Sequence, residues 1–166
     1  LKETILEHLG DSVYADGETS LEQRVVELLT KHNATLSLVE VGSGGTVAAA
    51  LSGAAGAQRV MAGAFVAPKA EKLRRLLGIR DDHAGKSRRQ ETELLAEAAA
   101  AATASQWALA VGEPWKDDHG TDYVDVVFRL PDGRLESRQV RFRGVGELAR
   151  SRLSTQLLDQ LRRRLK

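Results

Sequence analysis

Cysteine is missing from this sequence, and with it any disulfide, thiolate nucleophile or cysteine-based zinc site. That absence is compatible with a reducing cytoplasm. Long apolar runs are missing too: nothing approaches the roughly 20 residues that span a bilayer, and no signal-peptide pattern opens the chain. The expected setting is soluble and cytoplasmic, with no membrane partner. Nor is charge of one sign in excess, since 24 lysines and arginines face 23 acidic residues for a formal net charge of +1. Such a balance supplies no bulk field for capturing nucleic acid or lipid. What is present is an ordinary globular composition, 42% hydrophobic and 28% charged over 166 positions, enough for one core and short for two. The first residue is Leu1 rather than Met, already in an apolar pattern with Ile5 and Leu9, so a piece of a longer protein is expected.

The chain is organised around Thr35 to Leu51. Leu36, Leu38, Val39 and Val41 read as a short buried strand, Gly42, Gly44 and Gly45 allow a tight turn, and Thr46 to Leu51 starts a helix. A strand, glycine turn and helix in this order aim backbone N–H groups and the positive end of a helix dipole at one point. A phosphate, carboxylate or developing oxyanion fits there. The competing reading is that small residues simply let helix and strand pack closely.

Around this unit the pattern predicts a helix over Leu1 to Leu9 and a second from Leu21 to about Asn33, opened by a capping-box arrangement of Ser20 and Gln23. Arg59 to Ala67 reads as a second inner strand, followed by a helix with Pro68 in its first turn and Gly78 at its end. Asp81 to Arg89 reads as a loop and Gln90 to Ala104 as an alanine-rich, closely packed helix. Trp107 to Val111 is a short strand, and Gly112 to Asp122 a polar turn. Val124, Val126, Phe128 and Leu130 alternate, Pro131-Asp132-Gly133 turns, and Leu135 to Phe142 returns as the partner of an antiparallel hairpin. Glu147 to Lys166 closes the chain as an amphipathic helix with Leu153, Leu157, Leu161 and Leu165 on one stripe. This order implies an α/β fold, a three-layer α/β/α sandwich with a mixed sheet.

Other chemistry finds little support. His8, His32, His83 and His119 have no metal-ligand partner at helical spacing, so no metal is expected. Asp117, Asp118, His119 and Asp122 read as a solvated turn beside Trp115. Arg138, Arg141, Arg143, Arg150 and Arg152 form a basic tract, but Glu136 and Glu147 interrupt it and aromatic interleaving is absent, which argues against nucleic-acid binding.

Several motifs together resemble the C-terminal domain of the CinA family, whose members include nicotinamide-nucleotide amidases. They are Leu9-Gly10-Asp11-Ser12-Val13-Tyr14 ahead of the Leu21 helix, the segment Gly63 to Gly78 ending in Leu77-Gly78-Ile79, and Phe142-Arg143-Gly144 before the last helix. The resemblance implies that residues 1–20 are a lead-in from a preceding, molybdopterin-binding-like domain and that 21–166 form the CinA-like domain. It also implies a homodimer or higher homo-oligomer and a nucleotide ligand, with no cofactor.

Against the family's Glu-Ser-x-Thr-Gly-Gly, with its serine proposed as nucleophile, the chain reads Glu40-Val41-Gly42-Ser43-Gly44-Gly45. The tyrosine and lysine of the family's Tyr-Ser-Asn-x-x-Lys fall on Pro68 and Leu73, its Thr-Gly-x-Ala-Gly-Pro is reduced to Val111-Gly112-Glu113-Pro114, and an arginine expected after Phe-x-Gly falls on Gly146. Valine cannot act as the nucleophile an amidase needs. The leading expectation is thus a CinA-like domain without amidase activity, an assembly or ligand-binding module of a larger protein. Any ligand is expected at Glu40, Ser43, Gly44, Gly45 and Thr46. The alternative is a working amidase on nicotinamide mononucleotide that uses Ser43 and Lys72, although Ser43 reads more simply as a helix cap and Lys72 as a solvated side chain.

Overall fold

The computed structural model describes residues 19–80, 86–142, 144 and 146–166. The expected Leu1 to Leu9 helix lies outside the described residues. Helix α1 (Leu21–Lys31) begins where the Ser20 hydroxyl accepts the Gln23 N–H at 3.1 Å. The capping box is half formed. The Gln23 amide turns away instead, donating to the Ala55 carbonyl at 3.3 Å and accepting the Ala55 N–H at 2.9 Å.

Strand β1 (Leu36–Glu40) is buried along its whole length, because it lies between two parallel neighbours. Helices α2 (Thr46–Ser52) and α3 (Ala57–Val60) carry the chain to one neighbour, β2 (Met61–Val66). Helices α4 (Ala70–Leu76) and α5 (Arg88–Thr103) carry it to the other, β3 (Trp107–Val111). The chain then runs through β4 (Trp115–Lys116), β5 (Asp122–Arg129) and β6 (Leu135–Arg141) into helix α6 (Gly146–Arg164). Strand β5 is antiparallel to β3, β4 and β6, meeting β3 from Val126 to Arg129, β4 at Asp122 and Tyr123, and β6 from Tyr123 to Arg129. The sheet is six-stranded and mixed, as the alternation of strand and helix patterns predicts.

Strand β2 corrects the sequence reading in position and length. It starts at Met61, because Ala57–Val60 is helical, and it forms an edge of the sheet rather than an inner strand. Met-Ala-Gly-Ala-Phe-Val is apolar throughout, yet its residues alternate between half-buried and exposed. Three smaller corrections concern helix starts and the polar turn. Pro68 precedes the N-cap residue Lys69 of α4 and so stands outside the first turn. Helix α5 begins before Gln90, because Ser87 and Gln90 close a reciprocal capping box. The segment after Gly112 contains the short strand β4.

The two faces of the sheet are packed differently. On one face Leu36, Leu38, Leu109, Val126 and Phe128 meet α1, α2, α3 and α6 through residues such as Val25, Leu29, Leu157 and Leu161. On the other face Val39, Ala108, Ala110 and Val127 meet α5 and α4 through Leu95, Ala96, Ala99 and Leu73. The alanines let the α5 backbone lie close to the sheet, as expected for the alanine-rich segment. Gly63 shows how close: a Cβ there would stand 2.9 Å from Thr103 Cγ2. No helix of the described residues is long and apolar enough to cross a membrane.

Ala110 is fully buried at this face, packed in the cluster with Leu95, Ala96 and Ala99. Ala110→Leu is expected to lower the unfolding free energy by about 1–3 kcal/mol through overpacking, measured by urea denaturation. Unchanged stability would show that the α5 layer has slack.

Candidate functional site

The glycine turn lies at the C-terminal end of β1, where ligands collect in open α/β sheets. Gly44 and Gly45 take φ values of +64° and +89°, a left-handed backbone that favours glycine. Their turn delivers α2 with Gly45, not Ser43, as its N-cap residue and with no side-chain cap hydrogen bond. Ser43 therefore does not cap the helix. Its hydroxyl donates to Glu40 Oε2 at 2.6 Å.

Glu40 closes the arrangement from inside. Its carboxylate is 1% exposed. Oε2 also accepts the Val47 N–H at 3.1 Å, and Oε1 accepts the Ala48 N–H at 2.7 Å. The Thr46 N–H goes to the Ser43 carbonyl at 3.3 Å. The first-turn amides that an external anion would need are thus satisfied within the chain, and the partial positive charge of the turn faces a carboxylate. Ser43 is fully buried, so its hydroxyl is not presented to solvent. Thr46 is half-buried, and its hydroxyl donates to the Ser43 carbonyl at 2.9 Å. Outside the turn, the guanidinium of Arg150 lies against Gly44, where a Cβ would come within 3.4 Å of Arg150 Cζ.

A second carboxylate closes the neighbouring helix. Glu113 Oε1 accepts the Ala70 N–H at 2.8 Å, and Oε2 lies 3.5 Å from Lys69 Nζ, so an acid from the loop after β3 covers the start of α4. Sequence reading missed this role. The pair is separated by more than forty positions, and nothing local marks Glu113 as a cap.

Between the two covered helix starts the structure is tightly packed and apolar. Val41 is 7% exposed and Leu73 is fully buried, and both belong to the apolar cluster that includes Ala70 and Leu95. The ladder between β1 and β3 continues past the strand ends, with Gly42 N–H donating to the Gly112 carbonyl at 3.0 Å. A Cβ on Gly42 would approach that oxygen and Val124 Cγ1 to 2.8 Å, so no crevice opens there. Pro68 and Lys72 are exposed.

The remaining candidates fall apart spatially or serve the fold. His32 Nε2 lies 2.8 Å from the Leu165 carbonyl, whereas Asp117 Oδ1 accepts the N–H groups of His119 and Thr121 and shapes its own turn. No three His, Cys, Asp or Glu side chains of the described residues converge as metal ligands. Trp115 stacks on Tyr123 with ring centroids 5.1 Å apart, and Arg88 lies 5.0 Å from the Trp115 ring centre. Beneath them Asp125 is 5% exposed. Burial pushes its carboxyl above the usual range, opposed by the Gln139 amide and by the charges of Arg88 and Arg89. The Trp115 indole N–H approaches that carboxyl without completing a hydrogen bond of ordinary geometry.

The fold of this domain is shared by solved structures of several proteins. The CinA superfamily protein of Klebsiella pneumoniae 700603 superposes with a TM-score of 0.76 at 22% identity, covering 87% of this chain and 95% of that one. The competence/damage-inducible protein CihA of Agrobacterium tumefaciens gives a TM-score of 0.70 at 22% identity, with 87% and 91% covered. In sequence, residues 18–165 match the CinA C-terminal domain. A CinA-like protein of Fervidobacterium nodosum is 30% identical over 170 residues, covering 96% of this chain and 41% of the relative. One from Dictyoglomus thermophilum is 43% identical over 75 residues, covering 45% and 18%. The chain belongs to the CinA family through its C-terminal domain. It spans less than half the length of these curated relatives.

The turn makes a direct prediction. Glu40→Ala leaves the buried Ser43 hydroxyl, the buried Val47 amide and the half-buried Ala48 amide without their acceptor and is expected to cost about 3 kcal/mol or more, while Glu40→Gln retains one acceptor oxygen and costs less. Urea denaturation of both variants checks the order, and an unchanged Glu40→Ala midpoint would show that the turn does not depend on the carboxylate.

Proposed function

We propose that this is a CinA C-terminal-like domain that has lost amide hydrolysis and serves as an assembly or ligand-binding module of a larger CinA-like protein. The observation that carries the reading is the apolar contact cluster of Val41 and Leu73 at the positions where the family resemblance expects a serine and a lysine. An acyl-transfer site needs a nucleophile within hydrogen-bond reach of a base and open to substrate. Val41 and Leu73 provide neither group. Ser43 does have a carboxylate 2.6 Å away, but it is fully buried and its partner is engaged with the backbone of α2.

The assembly role is supported by the edge of the sheet. From Val41 to Pro68 the chain carries one charged side chain, Arg59, in a sequence that is 28% charged overall. Strand β2 sits within this stretch, pairs only with β1 among the described strands, and exposes Ala62, Ala64 and Val66, the last at 48%. Natural edge strands are usually guarded by charge, proline or a bulge away from the open side. Beyond the register shift at Ala62, which sets one extra β2 residue against Leu36 and Ser37, the edge from Gly63 to Val66 carries no charge or proline and suits antiparallel pairing with β2 of a second copy, which is self-complementary about a twofold axis.

Two experiments test these readings. Incubated with nicotinamide mononucleotide, the purified protein is expected to release no ammonia or nicotinic acid mononucleotide above a protein-free blank. Val41→Ser is expected to stay inactive because the base is absent as well. Turnover that disappears in Ser43→Ala would overturn the proposal in favour of a rebuilt amidase. In light scattering after size exclusion, the wild-type chain is expected at the mass of a dimer and Ala64→Lys at that of a monomer. A monomeric wild type would remove the edge-pairing proposal.

A further inference from the structure

Two carboxylates are buried among the described residues, Glu40 and Asp125, and they are provided for very differently. Glu40 receives one hydroxyl and two amides. Asp125 is faced by the Gln139 amide, directly across on β6, and by the Trp115 indole on β4, whose N–H is buried and has no hydrogen-bond partner. From α5 the charges of Arg88 and Arg89 face it, and Arg89 is itself paired with Glu93. Tyr123 stands two positions earlier on the same side of β5, with Arg141 opposite it on β6.

The indole belongs to a short segment, residues 112–116, that is fastened at several points. Gly112 N–H donates to the Asp125 carbonyl at 2.8 Å. Glu113 Oε1 accepts the Ala70 N–H at the start of α4, also at 2.8 Å. Trp115 pairs with Tyr123 in the ladder between β4 and β5, and its ring stacks on that of Tyr123 with the planes 25° apart. The guanidinium of Arg88, the first residue of α5, lies over the same indole. The segment therefore touches the starts of two helices and covers a buried acid on the way.

We propose that residues 112–116 are a proton-controlled strap, closed over Asp125 while its carboxyl is neutral and lifted when the carboxyl ionises. A neutral carboxyl needs little hydration and fits beneath the indole. A carboxylate at this depth needs more donors than the two that face it, and water supplies them only when Trp115 moves away. Burial accordingly pushes the Asp125 carboxyl above the usual range, and the Gln139 amide, the Trp115 indole, Arg88 and Arg89 limit the rise without reversing it. The stabilisation that the closed strap supplies is thus complete below the ordinary aspartate range and is lost as pH rises through the elevated value. Because Glu113 rides on the same segment, lifting also takes the acceptor from the Ala70 N–H, so ionisation beside α5 loosens the start of α4. The strap works whether or not the domain hydrolyses amides.

The chain has two tryptophans, so the test follows two indole N–H resonances of the isotopically labelled full chain from about pH 4 to about pH 8. Trp115→Phe identifies the signal of Trp115. That signal is expected to titrate with a midpoint above the ordinary aspartate value, and Asp125→Asn to hold it at its low-pH position throughout. Amide exchange gives a second readout. At about pH 8 the Gly112 and Ala70 amides are expected to exchange faster in wild type than in Asp125→Asn, by about tenfold for each pH unit that closure adds to the carboxyl. Arg88 is exposed, so Arg88→Gln is expected to fold, and the lost positive charge to move the midpoint upward. A Trp115 signal that stays flat in wild type, or that titrates equally in Asp125→Asn, would overturn the proposal. Equal exchange at Gly112 and Ala70 in the two proteins, or a midpoint lowered by Arg88→Gln, would do so as well.

Discussion

The carboxylate of Glu40 is the tie on which the centre of this domain depends. It stands at the last position of β1 and reaches forward past the glycines to the first turn of α2, so a strand end, a turn and a helix start converge on two oxygen atoms. Buried acids are tolerated only when hydrogen bonds replace their hydration, and here one hydroxyl and two amides do so. The geometry also constrains its neighbours. The turn must be left-handed at Gly44 and Gly45 for the α2 amides to face back toward β1, and Gly42 must lack a side chain for β1 and β3 to stay in register beyond their ends. The same contacts that order the turn use up its capacity to receive an outside anion.

Much of the architecture was legible in the sequence because it follows from local periodicity. The alternation in Val124 to Leu130, the Pro131-Asp132-Gly133 turn and the leucine stripe of the last helix each specify their element without reference to distant residues. The order of parallel strands was not legible to the same degree. Met61 to Val66 looks like an inner strand because it contains nothing polar, but its place is decided by which strand β1 accepts on each side, a tertiary matter. The family assignment could be made from motifs in the sequence, one of which, Leu77-Gly78-Ile79, follows the end of α4.

The site was harder to read, for a physical reason in each case. Ser43 looks like a cap because serine before a helix usually is one, but glycine at Gly45 moves the cap by two positions and frees the hydroxyl to turn back to Glu40. Glu113 reaches α4 only because the loop after β3 crosses toward it. The basic tract was visible as a run of arginines. That Arg152 turns toward Arg141 while Arg150 turns toward Gly44 depends on the helical phase of α6 in contact with the sheet.

The unequal filling of the two layers has a consequence for how this sequence can drift. On the α6 side the core is made of leucine, valine and phenylalanine, so a random change there most often removes volume and leaves a void that the surroundings close only in part. On the α5 side much of the contact is alanine, Ala96 and Ala99 of the helix with Ala108 and Ala110 of the sheet, and at those positions nearly every replacement is larger. Mutational drift therefore runs toward voids in one layer and toward overpacking in the other. Compensation differs accordingly: a loss on the α6 side can be refilled by a neighbouring side chain, whereas a gain on the α5 side can be relieved only by moving a whole helix.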